Sequence, residues 1–241
     1  MNLKNIIFSL FTLTGLSWVH FGYSQDIPYY VPTNGLLAWI PLEGTTLDKS
    51  GNGNDALGTN LTQAEDRFNR KNKAVFLDGI NSYIKLEINN PELMLNNNFT
   101  ISIWIKPNFA TKNEYILSKG DKMTNEYALL IGSNNTICFE KNTLNKFSCI
   151  PLIKNQWINV TLVISNNTSK IYINGKLANV QPLESPILSS PLPLTFGAIF
   201  QVGESTPVQN SRFNGIMDDI SIWSRVLSDD EILLFFKGNN D

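Results

Sequence analysis

Apolar and polar residues alternate with a period of two through most of this chain, from residue 36 to residue 223, and that pattern decides the fold class. Successive side chains of a strand point to opposite faces, so the alternation specifies half-buried strands rather than amphipathic helices. The segment Phe99-Thr100-Ile101-Ser102-Ile103-Trp104-Ile105-Lys106 shows it plainly. Phe99, Ile101, Ile103 and Ile105 share one face, and Thr100, Ser102, Trp104 and Lys106 share the other. Similar runs cover 74–77, 83–86, 127–131, 158–164, 170–173 and 216–223. Turn-forming pairs separate them, among them Asp78-Gly79, Lys119-Gly120, Asn134-Asn135 and Asn166-Asn167. Asn174-Gly175, between Ile173 and Lys176, is a two-residue hairpin signal, because both residues tolerate positive φ.

One helical segment closes the chain. Ser228 is placed to cap it, Asp229, Asp230 and Glu231 suit the positive end of the helix dipole, and Gly238 is placed to end it. The Pro- and Ser-rich stretch 180–207 reads as a surface loop around a short strand. Neither an internal repeat nor an interdomain linker interrupts the pattern, which therefore describes one all-β sandwich.

The first residues read differently. Lys4 is followed by an apolar stretch over 6–18 and by Gly22-Tyr23-Ser24, the pattern of a secretory signal peptide cleaved before Gln25. A membrane anchor is the alternative, disfavoured by Thr12, Thr14, Ser17 and His20 within a stretch that would need ~20 apolar residues to span. The expectation is an exported protein, extracellular or periplasmic, with no membrane insertion after cleavage. The expected division is a signal peptide over 1–24, an N-terminal linker over 25–34, one domain over 35–237 and a tail over 238–241. Taking 24 residues from 241 leaves 217, a length that one β-sandwich reaches. It also removes His20, the only histidine, and with it every Ser-His-Asp, Cys-His and histidine–zinc chemistry. A formal net charge of −2 supplies no basic footprint for nucleic acid.

Two cysteines, Cys138 and Cys149, lie in short strand-like runs on either side of the polar tip at residues 142–145. A symmetric hairpin sets them opposite each other at ~4.5–5.5 Å between Cα atoms, within disulfide range. In an oxidising compartment this reads as a structural bridge worth about 2–3 kcal/mol; two unpaired buried thiols are the alternative.

Several strings in order resemble the bacterial laminin-G-like jelly-roll domains of the concanavalin A-like lectin and glucanase superfamily. They are Gly35-Leu36-Leu37-Ala38-Trp39-Ile40-Pro41-Leu42, then Asp48-Lys49-Ser50-Gly51-Asn52-Gly53-Asn54-Asp55, then Ala74-Val75-Phe76-Leu77-Asp78-Gly79. The strand over 99–107, the segment 157–175, and Phe213-Asn214-Gly215-Ile216-Met217-Asp218-Asp219-Ile220 with Ser224-Arg225-Val226-Leu227-Ser228 complete the set. The resemblance implies a two-sheet antiparallel jelly-roll sandwich with a short C-terminal helix. Ala56 and Asn81 depart from it, standing where the family usually has glycine and often has aspartate.

Three kinds of site follow. The glucanases of that superfamily carry carboxylates two to four positions apart on one strand, the spacing for retaining glycoside hydrolysis, and no such string occurs here. The chain is read as a non-enzyme. Asp48, Asn52 and Asn54 form an oxygen-rich loop that the resemblance places near the strand beginning at Asp218, with Asp219 beside it, and oxygen donors suit calcium. Alternation puts Asp218 on the core face with Ile220 and Ile222, where an inward carboxylate needs a cation or several N–H groups. An aspartate capping loop amides is the plainer alternative for the loop. Lastly, the face away from the core gathers aromatic rings, of which Trp104, Tyr172 and Trp223 are the candidate ligand contacts; rings flanked by hydrogen-bonding groups suit a sugar. The alternative buries them beneath the loop at 180–207. The combined expectation is a secreted, calcium-stabilised binding module for a glycan. The competing reading is an adhesion module for an extracellular protein ligand, and a divergent glycosidase is a third.

Overall fold

Strands follow the alternating runs closely in the computed structural model. It describes residues 27–238 except 96, 109, 111, 121–125, 142–144, 154, 184, 188–191, 201–203 and 205, with backbone alone for 145–148. In chain order they are β1 (Leu36–Ile40), β2 (Leu57–Thr59), β3 (Thr62–Ala64), β4 (Ala74–Asp78), β5 (Tyr83–Leu86), β6 (Asn98–Pro107), β7 (Glu114–Lys119) and β8 (Tyr127–Ile131). Then come β9 (Thr136–Lys141), β10 (Asn145–Pro151), β11 (Ile158–Ser165), β12 (Thr168–Ile173), β13 (Lys176–Pro182), β14 (Leu194–Phe196) and β15 (Asn214–Trp223), and finally the helix α1 (Asp229–Gly238). The signal-peptide reading falls on residues outside this description.

Two antiparallel sheets result. The first runs β13-β12-β11-β6-β15-β4-β3, with β1 also paired to β15, and the second runs β10-β9-β8-β7-β14-β5-β2. Their facing sides form the main core, where Phe99, Ile101, Ile103 and Ile105 of β6 pack with Tyr127, Leu129 and Ile131 of β8 in one buried cluster. β14 is the short strand expected within the 180–207 stretch, but it lies inside the sandwich, paired to both β5 and β7 with all three of its residues buried.

The hairpin of β9 and β10 carries the disulfide, and Cys138 is bonded to Cys149. Phe139 pairs with Phe147 and Ile137 with Ile150, so a bulge between them shifts the register by one residue and brings Cys149 to its partner. At the other end, Ser228 Oγ accepts the Glu231 N–H (3.2 Å) while the Glu231 carboxylate accepts the Ser228 N–H (2.8 Å), a reciprocal capping box on α1.

A second apolar cluster sits on the outer side of the first sheet. Leu36, Trp39, Val163, Tyr172 and Trp223 from the sheet pack with Val31, Leu227, Ile232 and Phe235. The segment expected to be a linker is therefore part of the domain from residue 27: Val31 is buried and Pro32 accepts a hydrogen bond from Trp223 Nε1 (2.6 Å). Gly238 likewise lies against Tyr30, where an added Cβ would come within 2.2 Å of the Tyr30 Cβ. These contacts extend the domain beyond the expected limits at 35 and 237.

Candidate functional site

A β-bulge in β15 sets the geometry. Met217 pairs with Ile105 and Asp218 with Trp104, but the register then slips, and Ser221 pairs with Ser102 and Ile222 with Ile101. Asp219 is the extra residue, with φ of 45°, a left-handed conformation that aspartate tolerates better than most side chains. Alternation is reset there. Asp218 consequently shares the outer face with Trp104, Ser102 and Ser221, and not the core face with Ile220 and Ile222 as strict parity predicts.

Both carboxylates meet one cation, the guanidinium of Arg67. Arg67 Nη1 donates to Asp218 Oδ2 at 2.7 Å and Nη2 donates to Asp219 Oδ2 at 2.8 Å, with all three side chains nearly out of solvent. Trp39 Nε1 donates to the other Asp219 oxygen at 3.3 Å. Arg67 arrives on the loop between β3 and β4, which is organised by Asp66. That buried carboxylate accepts the N–H groups of Phe68 and Arg70 (2.9 and 2.8 Å) and the Arg70 Nε–H (2.6 Å). Burial pushes the Asp218 carboxyl well above the usual range, the neighbouring Asp219 charge adds to this, and Arg67 pulls it back. Burial also raises Asp219, opposed by Arg67 and by the Trp39 hydrogen bond.

Rings stack around this triad. The Arg67 guanidinium lies 4.7 Å from the centroids of both Trp104 and Phe68, Arg70 lies 4.9 Å from Phe68, and Phe236 of α1 stacks on Trp104 at 5.6 Å. Beside the stack is a pocket of about 180 Å³ whose walls include Tyr30, Trp39, Glu43, Phe68, Arg70 and Asp219. Phe68 is 37% exposed and forms the open wall.

The five residues expected to hold calcium do not form one donor set. Asp48 is a loop cap: Oδ1 accepts the N–H groups of Trp39 and Ser50, and Oδ2 accepts the Asn54 N–H and the Ser50 hydroxyl. Asn52 and Asn54 donate their side-chain amides to the carbonyls of Leu36 and Leu37 on β1. Asp218 and Asp219 are bridged by Arg67, so the counter-charge expected from a cation comes from the chain itself. As arranged, the carboxylates of Asp48, Asp218 and Asp219 all have partners within the chain, and among the described residues no group of three or more His, Cys, Asp or Glu is placed to hold a metal.

The aromatic candidates are placed where a ligand does not reach them. Trp104 is 3% exposed, Tyr172 1% and Trp223 0%. Tyr172 donates its hydroxyl to Asp229 of α1 at 2.6 Å, and Trp223 meets Phe235 edge-on at 5.3 Å. Their cover is α1 and the N-terminal segment, elements that the alternating pattern treats as peripheral, rather than the loop at 180–207. What the structure brings together is Trp104 from the aromatic set and Asp218 and Asp219 from the metal set. Sequence reasoning missed Arg67, Phe68, Arg70 and Tyr30. The local signal for the first three is the Asp66-Arg67-Phe68-Asn69-Arg70 string, an aromatic residue between two arginines; Tyr30 lies in the segment read as a linker.

The two antiparallel sheets packed face to face place the chain among the jelly-roll sandwiches. Residues 78–233 match the profile of the Laminin_G_3 family in the concanavalin A-like lectin/glucanases superfamily, and the chain belongs to that family. Domain 4 of AbnA, an extracellular arabinanase from Geobacillus stearothermophilus solved with arabinotriose, has a similar fold. The TM-score is 0.64 at 17% identity, covering 83% of this chain and 97% of that one. The binding domain of botulinum neurotoxin DC, solved with SialylT, aligns with a TM-score of 0.66 at 18% identity, covering 85% of this chain and 52% of that one. Adhesion G-protein coupled receptor V1 of Danio rerio is 24% identical over 155 aligned positions, 56% of this chain but 2% of the receptor. This chain thus spans only a small fraction of that receptor. No helix among the described residues is long and apolar enough to cross a membrane.

Proposed function

We propose that this protein is an exported, non-catalytic carbohydrate-binding module, and that the pocket walled by Tyr30, Phe68, Arg70 and Glu43 receives one sugar ring. The observation that carries the reading is the convergence of exposed Phe68 and half-buried Tyr30 with charged groups already fixed in place by Asp66 and by the Arg67 triad. An aromatic face takes the C–H side of a sugar, and fixed polar groups at the pocket wall take its hydroxyls. Two relatives in fold were solved with saccharide-containing ligands, which supports the ligand class. Asp218 and Asp219 are almost fully buried with Arg67 as their shared counter-ion, which supports a structural role for the pair over a catalytic one.

A glycan array probed with the exported chain tests this. Specific binding that Phe68→Ala abolishes with little change in thermal midpoint supports the proposal. A folded chain that binds no glycan overturns it in favour of adhesion to a protein, the reading favoured by the weak relationship to an adhesion receptor. N-terminal sequencing of the exported protein, with Gln25 expected first, tests the export step.

A further inference from the structure

A second cleft, sharing no wall residue with the first, lies where the β4–β5 turn meets the loops before β7 and before β15. It holds about 440 Å³ and is lined by Gly79, Ile80, Asn81, Lys112 and Arg212, with Thr206, Gln209 and Asn210 beyond. That volume is within the range of small-molecule sites, roughly 300–1,000 Å³.

Its walls are built rather than incidental. Asp78 Oδ1 accepts the N–H groups of Ile80, Asn81 and Ser82 and the Ser82 hydroxyl, which locks the turn. Gly79 sits at φ +70° against the Asn214 side chain. On the facing side, Ser211 accepts the Tyr115 N–H at its carbonyl and donates its hydroxyl to the Val208 carbonyl, pinning the loop to β7.

Arg212, 8% exposed, is the unusual member. Its Nη1 donates to Asn81 Oδ1 (3.3 Å) and its Nη2 to the Pro207 carbonyl (3.0 Å), while buried Nε has no partner among the described residues. Both acceptors are neutral. Of the nearby carboxylates, Asp78 is bound in its own turn, and Glu114 accepts the Asn214 N–H (3.0 Å) and lies within electrostatic reach of Lys112 rather than pairing with Arg212. A buried guanidinium normally has a carboxylate partner, because burying an uncompensated charge is costly. Here Lys112 adds a second positive charge to the same cleft. Around the two cations are amides and a hydroxyl, and Ile80, 64% exposed, supplies one apolar surface.

We infer that this cleft binds a saccharide carrying a carboxylate, with the acid group between Arg212 and Lys112, the hydroxyls on the surrounding amides, and a ring face against Ile80. The anion supplies Arg212 with the carboxylate partner that it lacks among the described residues. The neutral hydrogen-bonding walls and the exposed apolar residue favour a sugar acid over a bare inorganic ion.

Calorimetric titration of the exported chain with matched probes tests this: digalacturonate against galactobiose, and sialyllactose against lactose. At least one acidic probe should bind, and its neutral counterpart should not compete. Asn81→Asp, an exposed substitution that puts a carboxylate beside Arg212, should weaken acidic-probe binding by about tenfold or more, the scale of one charged hydrogen bond. Lys112→Ala should weaken it in the same direction and decides the matter if Asn81→Asp does not fold. Phe68→Ala should leave it unchanged, which separates this cleft from the neutral-sugar pocket. The inference is overturned if neither acidic probe binds, if neutral and acidic probes bind alike, if inorganic sulfate displaces the probe at equal concentration, or if the deciding variant leaves affinity unchanged.

Discussion

Replacing Arg67 by methionine removes the one positive charge that two buried carboxylates share while keeping much of the apolar stem. Breaking a buried ion pair from one side typically costs about 3–5 kcal/mol, because the remaining charge stays desolvated. The upper part of that range applies here, since Arg67 also loses its place between the Trp104 and Phe68 rings. For a domain of this size, each kcal/mol moves the melting temperature by about 2–4 °C, so a loss of about 4–5 kcal/mol should lower the midpoint at neutral pH by roughly 8–20 °C. The sign of the pH dependence is the stronger check. Asp218 and Asp219 both have folded-state pKa values above the unfolded aspartate value of about 3.9. A group raised in this way contributes its stability in full below the unfolded pKa and loses it as pH rises through the folded pKa. Without Arg67 both carboxyls rise further, so the deficit of the variant should widen from pH 4 towards pH 8 and shrink, below about pH 4 where both carboxyls are neutral, to the part due to the lost ring contacts. Urea denaturation of both proteins across that range measures it. Adding Asp218→Asn and Asp219→Asn to Arg67→Met should recover most of the loss. A deficit that does not change with pH, or one below about 1 kcal/mol at pH 7, would refute the ion-triad account.

Trp104→Ala should cost about 3–5 kcal/mol in denaturant titration, because the ring is enclosed between Phe236 and Arg67; a small change would return it to the ligand face. Replacing both Cys138 and Cys149 by serine should cost about 2–3 kcal/mol with an unchanged circular dichroism spectrum, as befits a bridge closing a short hairpin. Thermal melts in EDTA and in millimolar calcium should coincide once ionic strength is matched, since Asp48, Asp218 and Asp219 already have protein partners. A midpoint several degrees higher in calcium than in magnesium would instead restore a metal at the loop of Asp48.

Local chemistry wrote much of this protein into its sequence. Period-two alternation located β4, β5, β6, β8, β11, β12 and β15, because in a sheet with one buried face every second residue must be apolar. The capping box on α1 and the pairing of Cys138 with Cys149 are equally local, resting on residues within a dozen positions of each other. The candidate site was decided elsewhere. Alternation assumes an unbroken strand, and the single left-handed residue Asp219 turns Asp218 from the core face to the outer one. Arg67 meets Asp218 across 151 positions of chain, a contact set by how the β3–β4 loop lies on the sheet and by no spacing within either segment. Burial of Trp104, Tyr172 and Trp223 likewise depends on where α1 and residues 27–32 dock. Residue pattern thus fixed which faces exist, while tertiary packing decided which face is covered, because docking depends on surfaces assembled from distant strands.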